Sequence, residues 1–180
     1  MISGGEHAEV LRRTWAYFER TGIVLTEAEK QAIETADFGI GDIAATGLEV
    51  LVYVNTDRYC AKELVLFPLQ TCPEHRHPDV ADRPGKMETF RCRWGEVCLY
   101  IDGAPTPNPR CRPPQAREAA YTVWHEIVLS PGDQYTIASN TLHWFQAGAA
   151  GAAVSEFFST SSDEAGLFTD PDIQRLPQFQ

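Results

Sequence analysis

The period of the apolar positions changes partway along the chain. Over residues 6–20, Leu11, Trp15 and Phe18 recur four and three apart, the spacing that lines up one face of a helix. Gly22 ends that pattern. Thr26 followed by Glu29 has the spacing of a capping box, which predicts a second helix over 27–36. From Leu48 onward the texture becomes short β-rich runs broken by Gly, Pro, Asn and Asp. Strands are expected at Leu48–Asn55, 59–69, 71–78, 86–93 and 96–101, then at 121–129, Gln134–Ile137, 142–146 and 153–159. The steps Arg93-Trp94-Gly95-Glu96 and Ser130-Pro131-Gly132-Asp133 read as tight turns. Five prolines between Ala104 and Pro114 exclude a regular helix or a central strand. That stretch is expected to be a loop over the β-domain or its mouth. Many short strands behind two helices predict a mainly β fold, a small barrel or double-sheet jelly roll. The expected organisation is one domain: a helical extension over 1–45, the β-barrel over 46–160 and a C-terminal tail over 161–180.

Composition narrows the partners. A chain of 180 residues can bury a core without disulfide or metal staples. Its formal net charge of −10 argues against nucleic acid and against anionic membrane surfaces. No apolar run approaches the roughly 20 residues of a membrane span, and the N-terminus lacks a signal-peptide core, so a cytoplasmic location is expected. The five cysteines (Cys60, Cys72, Cys92, Cys98 and Cys111) include no Cys-x-x-Cys pair. Buried thiols in a reducing compartment fit them better than a disulfide framework.

The chemistry concentrates in Cys72-Pro73-Glu74-His75-Arg76-His77-Pro78 and Gly85-Lys86-Met87-Glu88-Thr89-Phe90. Alternation along a strand points His75 and His77 the same way, and Glu88 returns a carboxylate eleven residues after His77. That is half of a metal site. Glu74 alternates to the opposite face and is expected to be a surface or supporting group. Further on, Leu129-Ser130-Pro131-Gly132-Asp133 precedes a turn at Asn140-Thr141, after which His143 opens the next strand.

Taken together, these stretches resemble the cupin superfamily. Its first motif is His-x-His, then Glu, then six residues and Gly, matched by His75, His77, Glu88 and Gly95. Its second is Pro-Gly-Asp leading to a His, matched by Pro131-Gly132-Asp133 and His143. The resemblance implies a cupin (jelly-roll) β-barrel with metal ligands at His75, His77, Glu88 and His143. Three imidazoles and one carboxylate leave positions open on a divalent ion such as manganese or iron. Ten residues separate His77 from Glu88, where cupins commonly have three or four. That insertion, with Phe67-Pro68-Leu69-Gln70-Thr71 before the histidines and Gly85-Lys86-Met87-Glu88-Thr89-Phe90-Arg91 after them, is similar to the small D-lyxose isomerases. So is Phe168-Thr169-Asp170-Pro171-x-Ile173-x-Arg175-x-Pro177. The family resemblance implies reversible isomerisation of D-lyxose and D-xylulose, with D-mannose and D-fructose as further substrates. It also implies a homodimer and Mn2+, with Fe2+, Co2+, Ni2+ or Zn2+ as other divalent candidates.

Such a reaction needs a base near the metal. Glu156, polar between apolar neighbours in Val154-Ser155-Glu156-Phe157-Phe158, is the first candidate, with Glu126 and Glu63 as competitors. Lys86 would share the face of Glu88 on an extended strand, where it could stabilise an enediolate or shuttle a proton. Lys62 and Gln70 are candidates for contacts to sugar hydroxyls. Trp144 with Phe145 is a candidate apolar wall. Asp170 and Arg175 either fold over the mouth of the site or form a salt bridge in the tail. His125 lies on a strand without a motif and His7 near a frayed helix end. Two other readings remain open: a non-haem iron dioxygenase with the same ligands, and a cupin that binds sugar without turnover.

Overall fold

The computed structural model describes residues 4–82, 84–159 and 166–174. Helix α1 (Gly4–Thr21) buries Val10, Thr14, Tyr17 and Phe18. Leu11 and Trp15 flank that stripe, half-buried. Helix α2 (Glu27–Ala32) opens at the expected capping box: Glu29 N donates to Thr26 Oγ1 at 3.2 Å, and Thr26 N donates to the Glu29 carboxylate at 2.8 Å. It stops four residues short of the expected end. A one-turn helix that buries nothing is marginal, and residues 34–36 instead pair with the sheet. Strand β1 (Glu34–Ala36) runs antiparallel to β2 (Leu48–Asn55), so part of the stretch expected to be a helical extension is an edge of the β-domain.

The remaining strands are β3 (Tyr59–Leu66), β4 (Thr71–Arg76), β5 (Glu88–Ile101), β6 (His125–Leu129), β7 (Gln134–Ile137), β8 (His143–Ser159) and β9 (Leu167–Phe168). They form one curled antiparallel sheet in the order β1-β2-β3-β8-β4-β9, with β5 joined to β6, β7 and β8. The turn at Ser130–Asp133 is present, closed by Asp133 N donating to Ser130 O at 2.9 Å. The proline-rich stretch carries neither strand nor α-helix before the 3-10 turn Gln115–Ala120. Among the described residues no helix is long and apolar enough to cross a membrane.

Two expected pairs of strands are continuous. Residues 88–93 and 96–101 fall on β5, and 143–146 and 153–159 fall on β8, each expected first strand starting one or two residues late. Arg93-Trp94-Gly95-Glu96 is therefore a bulge and not a turn. Gly95 has φ 75°, and the β5–β8 register shifts on both sides of it. Gly151 of β8, at φ 86°, lies opposite. Bulges bend a strand without ending its pairing. The bend lets β8 pair with β4 over its first half and β3 over its second, while β5 accompanies it throughout.

Alternation then sorts the side chains. Leu64, Phe90, Leu99, Phe145 and Val154 point into the main core. Leu51, Val65, Phe67 and Ala153 point out beneath α1. Tyr100 and Trp144 point out on another side, covered by Tyr121 and Val123. A Cβ on Gly95 would stand 2.0 Å from the Gly151 carbonyl oxygen, whereas one on Gly132 (φ 98°) meets nothing within 4 Å. Gly95→Ala is therefore expected to cost about 2–5 kcal/mol from left-handed strain and overpacking together. Gly132→Ala, with strain alone, should cost about 1–2 kcal/mol. Urea midpoints of the two variants measure the difference, and equal losses would remove the bulge from its structural role.

Candidate metal centre and active site

Two rows of inward side chains cross the curled sheet. One runs Phe168, His75, His143, Ile101 over β9, β4, β8 and β5. The other runs Lys62, Glu156, Phe90 over β3, β8 and β5. His143 opens β8 and Glu156 lies near its end, so the bend at Gly151 separates the two groups that the strand contributes. Glu88 opens β5, and His77 follows directly on the end of β4.

The ligating atoms of His75, His77, Glu88 and His143 all lie within 4.8 Å of one another, and all four residues are buried. Backbone carbonyls choose the imidazole tautomers. His75 Nδ1 lies 2.8 Å from Pro73 O, and His143 Nδ1 lies 2.9 Å from Thr141 O. A carbonyl only accepts, so each Nδ1 carries the proton and each Nε2 keeps its lone pair. Glu88 Oε1 stands 3.4 Å from His77 Nε2, and Oε2 stands 3.2 Å from His143 Nε2. Yet His77 Nε2, His143 Nε2 and Glu88 Oε2 have no hydrogen-bond partner. Buried polar atoms are rarely left so. His77 Nδ1 is unpartnered too, so either of its nitrogens can turn a lone pair inward. Such lone pairs beside those of His75, His143 and Glu88 fit a cation, and this donor set can hold a metal ion.

Electrostatics supports the same state. Burial lowers the His75 pKa well below the usual imidazole value, and His143 and His77 lower it further. Burial likewise lowers His77, against the pull of Glu88. For Glu88 burial acts upward, but the Lys86 ammonium and the imidazoles of His143 and His77 outweigh it and hold the carboxyl well below its ordinary range. Neutral imidazoles and an ionised carboxylate are the ligating forms.

Lys86 links this group to a second carboxylate. Its Nζ contacts Glu88 Oε1 and lies 3.1 Å from Glu156 Oε1. The ammonium also sits 3.7 Å from the Phe158 ring centroid, with Lys62 Nζ at 4.7 Å. Burial, opposed by Lys86 and aided by Glu88, raises the Glu156 pKa to about 7. Lys62, Lys86, Glu88, Glu156, His75 and His77 line one cavity of about 140 Å³. That is below the roughly 300 Å³ of pockets for drug-sized ligands, a space for one small molecule.

Other candidates lie elsewhere. Trp144 follows His143, so its side chain takes the outer face: it stacks on Tyr100 at 3.9 Å, and its Nε1 donates to Val123 O. Phe145 does line the cavity. Gln70 is fully buried but committed to the backbone, accepting from Phe67 N at 2.7 Å and donating to Ile43 O at 2.6 Å. Asp170 pairs at 2.6 Å with Arg117 of the 3-10 turn, a partner outside the tail. Arg175 lies outside the described residues. Glu63 is bound to Ser155, Glu126 to Tyr100 and Arg110 N, and His125 lies 3.1 Å from Ala104 O. None of these three lines the cavity. Glu74 is 1 % exposed and accepts from Thr122 N, Thr122 Oγ1, Val123 N and Thr169 Oγ1. It is a strut behind His75. Phe38 and Phe168 also line the cavity. Phe168 belongs to the C-terminal stretch similar to the D-lyxose isomerases, but nothing in local spacing brings either ring to the histidines.

The fold is one known from sugar isomerases. The L-ribose isomerase of Cellulomonas parahominis, solved with L-ribose, superposes with a TM-score of 0.81 at 17% identity, covering 97% of this chain and 95% of that one. The L-ribose isomerase of Acinetobacter sp. DL28, also solved with L-ribose, gives 0.80 at 16%, covering 96% and 94%. No family model matches the chain. Curated relatives are far closer in sequence. The D-lyxose/D-mannose isomerase of Thermosediminibacter oceani is 59% identical over 180 residues, 100% of this chain and 99% of the relative. The D-lyxose ketol-isomerase of Cohnella laeviribosi is 57% identical over 179 residues, 99% and 98% of the two chains. That of Thermofilum sp. is 62% identical over 161 residues, 89% of each. The chain belongs to the D-lyxose ketol-isomerase family of aldose–ketose isomerases.

Metal-stripped protein returned to Mn2+ at about 100 times its dissociation constant should gain about 2.7 kcal/mol of stability. For a chain of this length that is a rise of roughly 5–10 °C in melting temperature. His77→Ala should lose the rise. A melting temperature indifferent to Mn2+, Fe2+, Co2+, Ni2+ and Zn2+ alike would contradict a metal centre.

Proposed function

We propose that the chain is an aldose–ketose isomerase that interconverts D-lyxose and D-xylulose, and also D-mannose and D-fructose. In this reading His75, His77, Glu88 and His143 hold Mn2+. The observation that carries it is the carboxylate of Glu156, paired with the Lys86 ammonium, in the same small cavity as the four ligating groups. Membership of the D-lyxose ketol-isomerase family supports the choice of sugar.

When bound, a divalent cation supplies Lewis acidity that makes the C–H beside the sugar carbonyl easier to deprotonate. Glu156 takes the proton from C2 of the open-chain aldose and returns it to C1 of the cis-enediol, which makes the ketose. A carboxyl pushed up to about 7 by burial both accepts and releases a proton near neutral pH. Lys86 donates to the sugar oxygen that gains charge and holds the proton that moves between O1 and O2. Lys62, beside Glu156 in the β3–β8 register, donates to a sugar hydroxyl. Phe158, beneath both ammonium groups, excludes water from them.

The curled sheet is read as a cupin-type barrel within a single domain, its N-terminal helices packed outside and β9 joined to its edge. Five buried free thiols suit a reducing cytoplasm. Exposed Tyr53, Tyr59 and Phe157, neighbours on the outer face of β2, β3 and β8, suit a homodimer.

Chelated protein should lose turnover of D-lyxose and recover it with Mn2+, with D-xylulose as product. Turnover of neither D-lyxose nor D-mannose would overturn the reading, and oxygen uptake with Fe2+ would favour a dioxygenase. Glu156→Gln should lower kcat by about 10²–10⁴-fold with bound Mn2+ unchanged. Near-normal kcat in a metal-loaded variant would move the base elsewhere.

A further inference from the structure

The cavity has two ends. One carries His75, His77, Glu88, both lysines and Glu156, and at the other Phe38 and Phe168 stand among Glu34, Thr35 and Gln174. Phe168 lies on β9, opposite His75 in the β4–β9 register, its ring centroid 5.3 Å from that of the imidazole. Its ring also meets Phe38 at 5.6 Å. The two phenyl rings come from stretches 130 residues apart (168 − 38) yet make one surface.

The position of that surface is held at a cost. Phe38 has φ 54°, a left-handed conformation that side chains other than Gly and Asn seldom adopt. Three hydrogen bonds hold it. Gly39 N donates to Asp37 Oδ1 at 3.0 Å, Ile40 N to Asp37 O at 3.0 Å, and Gln174 N to Phe38 O at 2.9 Å. The last comes from the segment that carries Phe168. That segment is fastened in turn to Glu74, the neighbour of His75: Thr169 N donates to Glu74 O at 3.0 Å, and Thr169 Oγ1 to Glu74 Oε1 at 2.7 Å. Strain kept at a cavity wall by surrounding bonds is a mark of function.

The geometry points to Phe38 and Phe168 as the residues that set the length of sugar the cavity accepts, with Glu74 as the positioning residue that fixes their distance from the metal centre. This rests on the isomerase reading above. With C1 and C2 at the ligating group, the carbons beyond C2 run toward the end that carries the two rings. The two phenyl faces themselves offer contact to C–H groups and no partner to a hydroxyl, which only Glu34, Thr35 and Gln174 beside them could supply. The terminal CH2OH that distinguishes a hexose from a pentose must find room against them.

The test compares wild type with Phe168→Ala, Phe168→Leu and Thr169→Val, each checked for bound Mn2+. One readout is kcat/KM for D-mannose relative to D-lyxose. The other needs no turnover: calorimetric affinity of the Mn2+-loaded protein for D-mannitol relative to D-arabitol. Phe168→Ala should raise both ratios about tenfold or more, the scale of one carbon's worth of pocket. Phe168→Leu and Thr169→Val should raise them less. Ratios within twofold of wild type in metal-loaded Phe168→Ala and Phe168→Leu would overturn the proposal. If wild type isomerises neither sugar, the isomerase reading fails. The polyol ratio then decides the wall alone: a shift supports it, and no shift or no polyol binding overturns it.

Discussion

A carboxylate that is 2 % exposed stays ionised only if positive charge faces it. Glu88 is such a group, and its neutralisation organises the cavity. Lys86, two residues earlier, leans on one oxygen, while the other is turned toward His143. Moving an ion pair's members out of water costs several kcal/mol each, and removing one partner of a buried pair typically costs about 3–5 kcal/mol. Lys86 answers that cost and reaches Glu156 with the same ammonium. The charge that keeps Glu88 ionised therefore also sets where the second carboxylate lies. Burial and Glu88 push the Glu156 carboxyl up, against the pull of the two lysines.

The backbone makes this meeting possible through two long strands. β5 and β8 each run on through the curled sheet because they bend at Gly95 and Gly151 instead of turning back. A straight β8 would carry His143 and Glu156 far apart, since strands rise about 3.3 Å per residue. Around the curled sheet the supports are polar and specific. Carbonyls of Pro73 and Thr141 fix the imidazole tautomers, and Glu74 ties the histidine strand to residues 122–123 and 169.

Much of this was legible in the residues, and the misses have physical causes. His75 and His77 followed from alternation, and the Thr26–Glu29 capping box and the turn at Ser130–Asp133 from local hydrogen-bond chemistry. Alternation also had the answer for Trp144, which must oppose His143 on its strand; its aromatic character suggested a sugar wall where period two forbids one. Gly95 was read as a turn because a glycine at positive φ serves turns and bulges alike, and only the partner strand tells them apart. The second helix ran long because nothing local announces that residues 34–36 will find an edge. Gln70 suggested a polar contact to substrate, but its amide satisfies the loop it closes. Phe38 and Phe168 needed the tertiary fold, since their meeting depends on β9 adding to β4.

The central claim is that a carboxyl group carries a proton between adjacent carbons of an open-chain sugar beside the four-residue ligating group. Isomerisation of D-lyxose by Mn2+-loaded protein in D2O tests it most directly. A proton held on Glu156 exchanges with solvent in a fraction of turnovers, so the D-xylulose formed should carry measurable deuterium at C1. D-xylulose formed with no deuterium at C1, and at an undiminished rate by metal-loaded Glu156→Gln as well, would mean that hydrogen passes directly from carbon to carbon, and would contradict a carboxylate base.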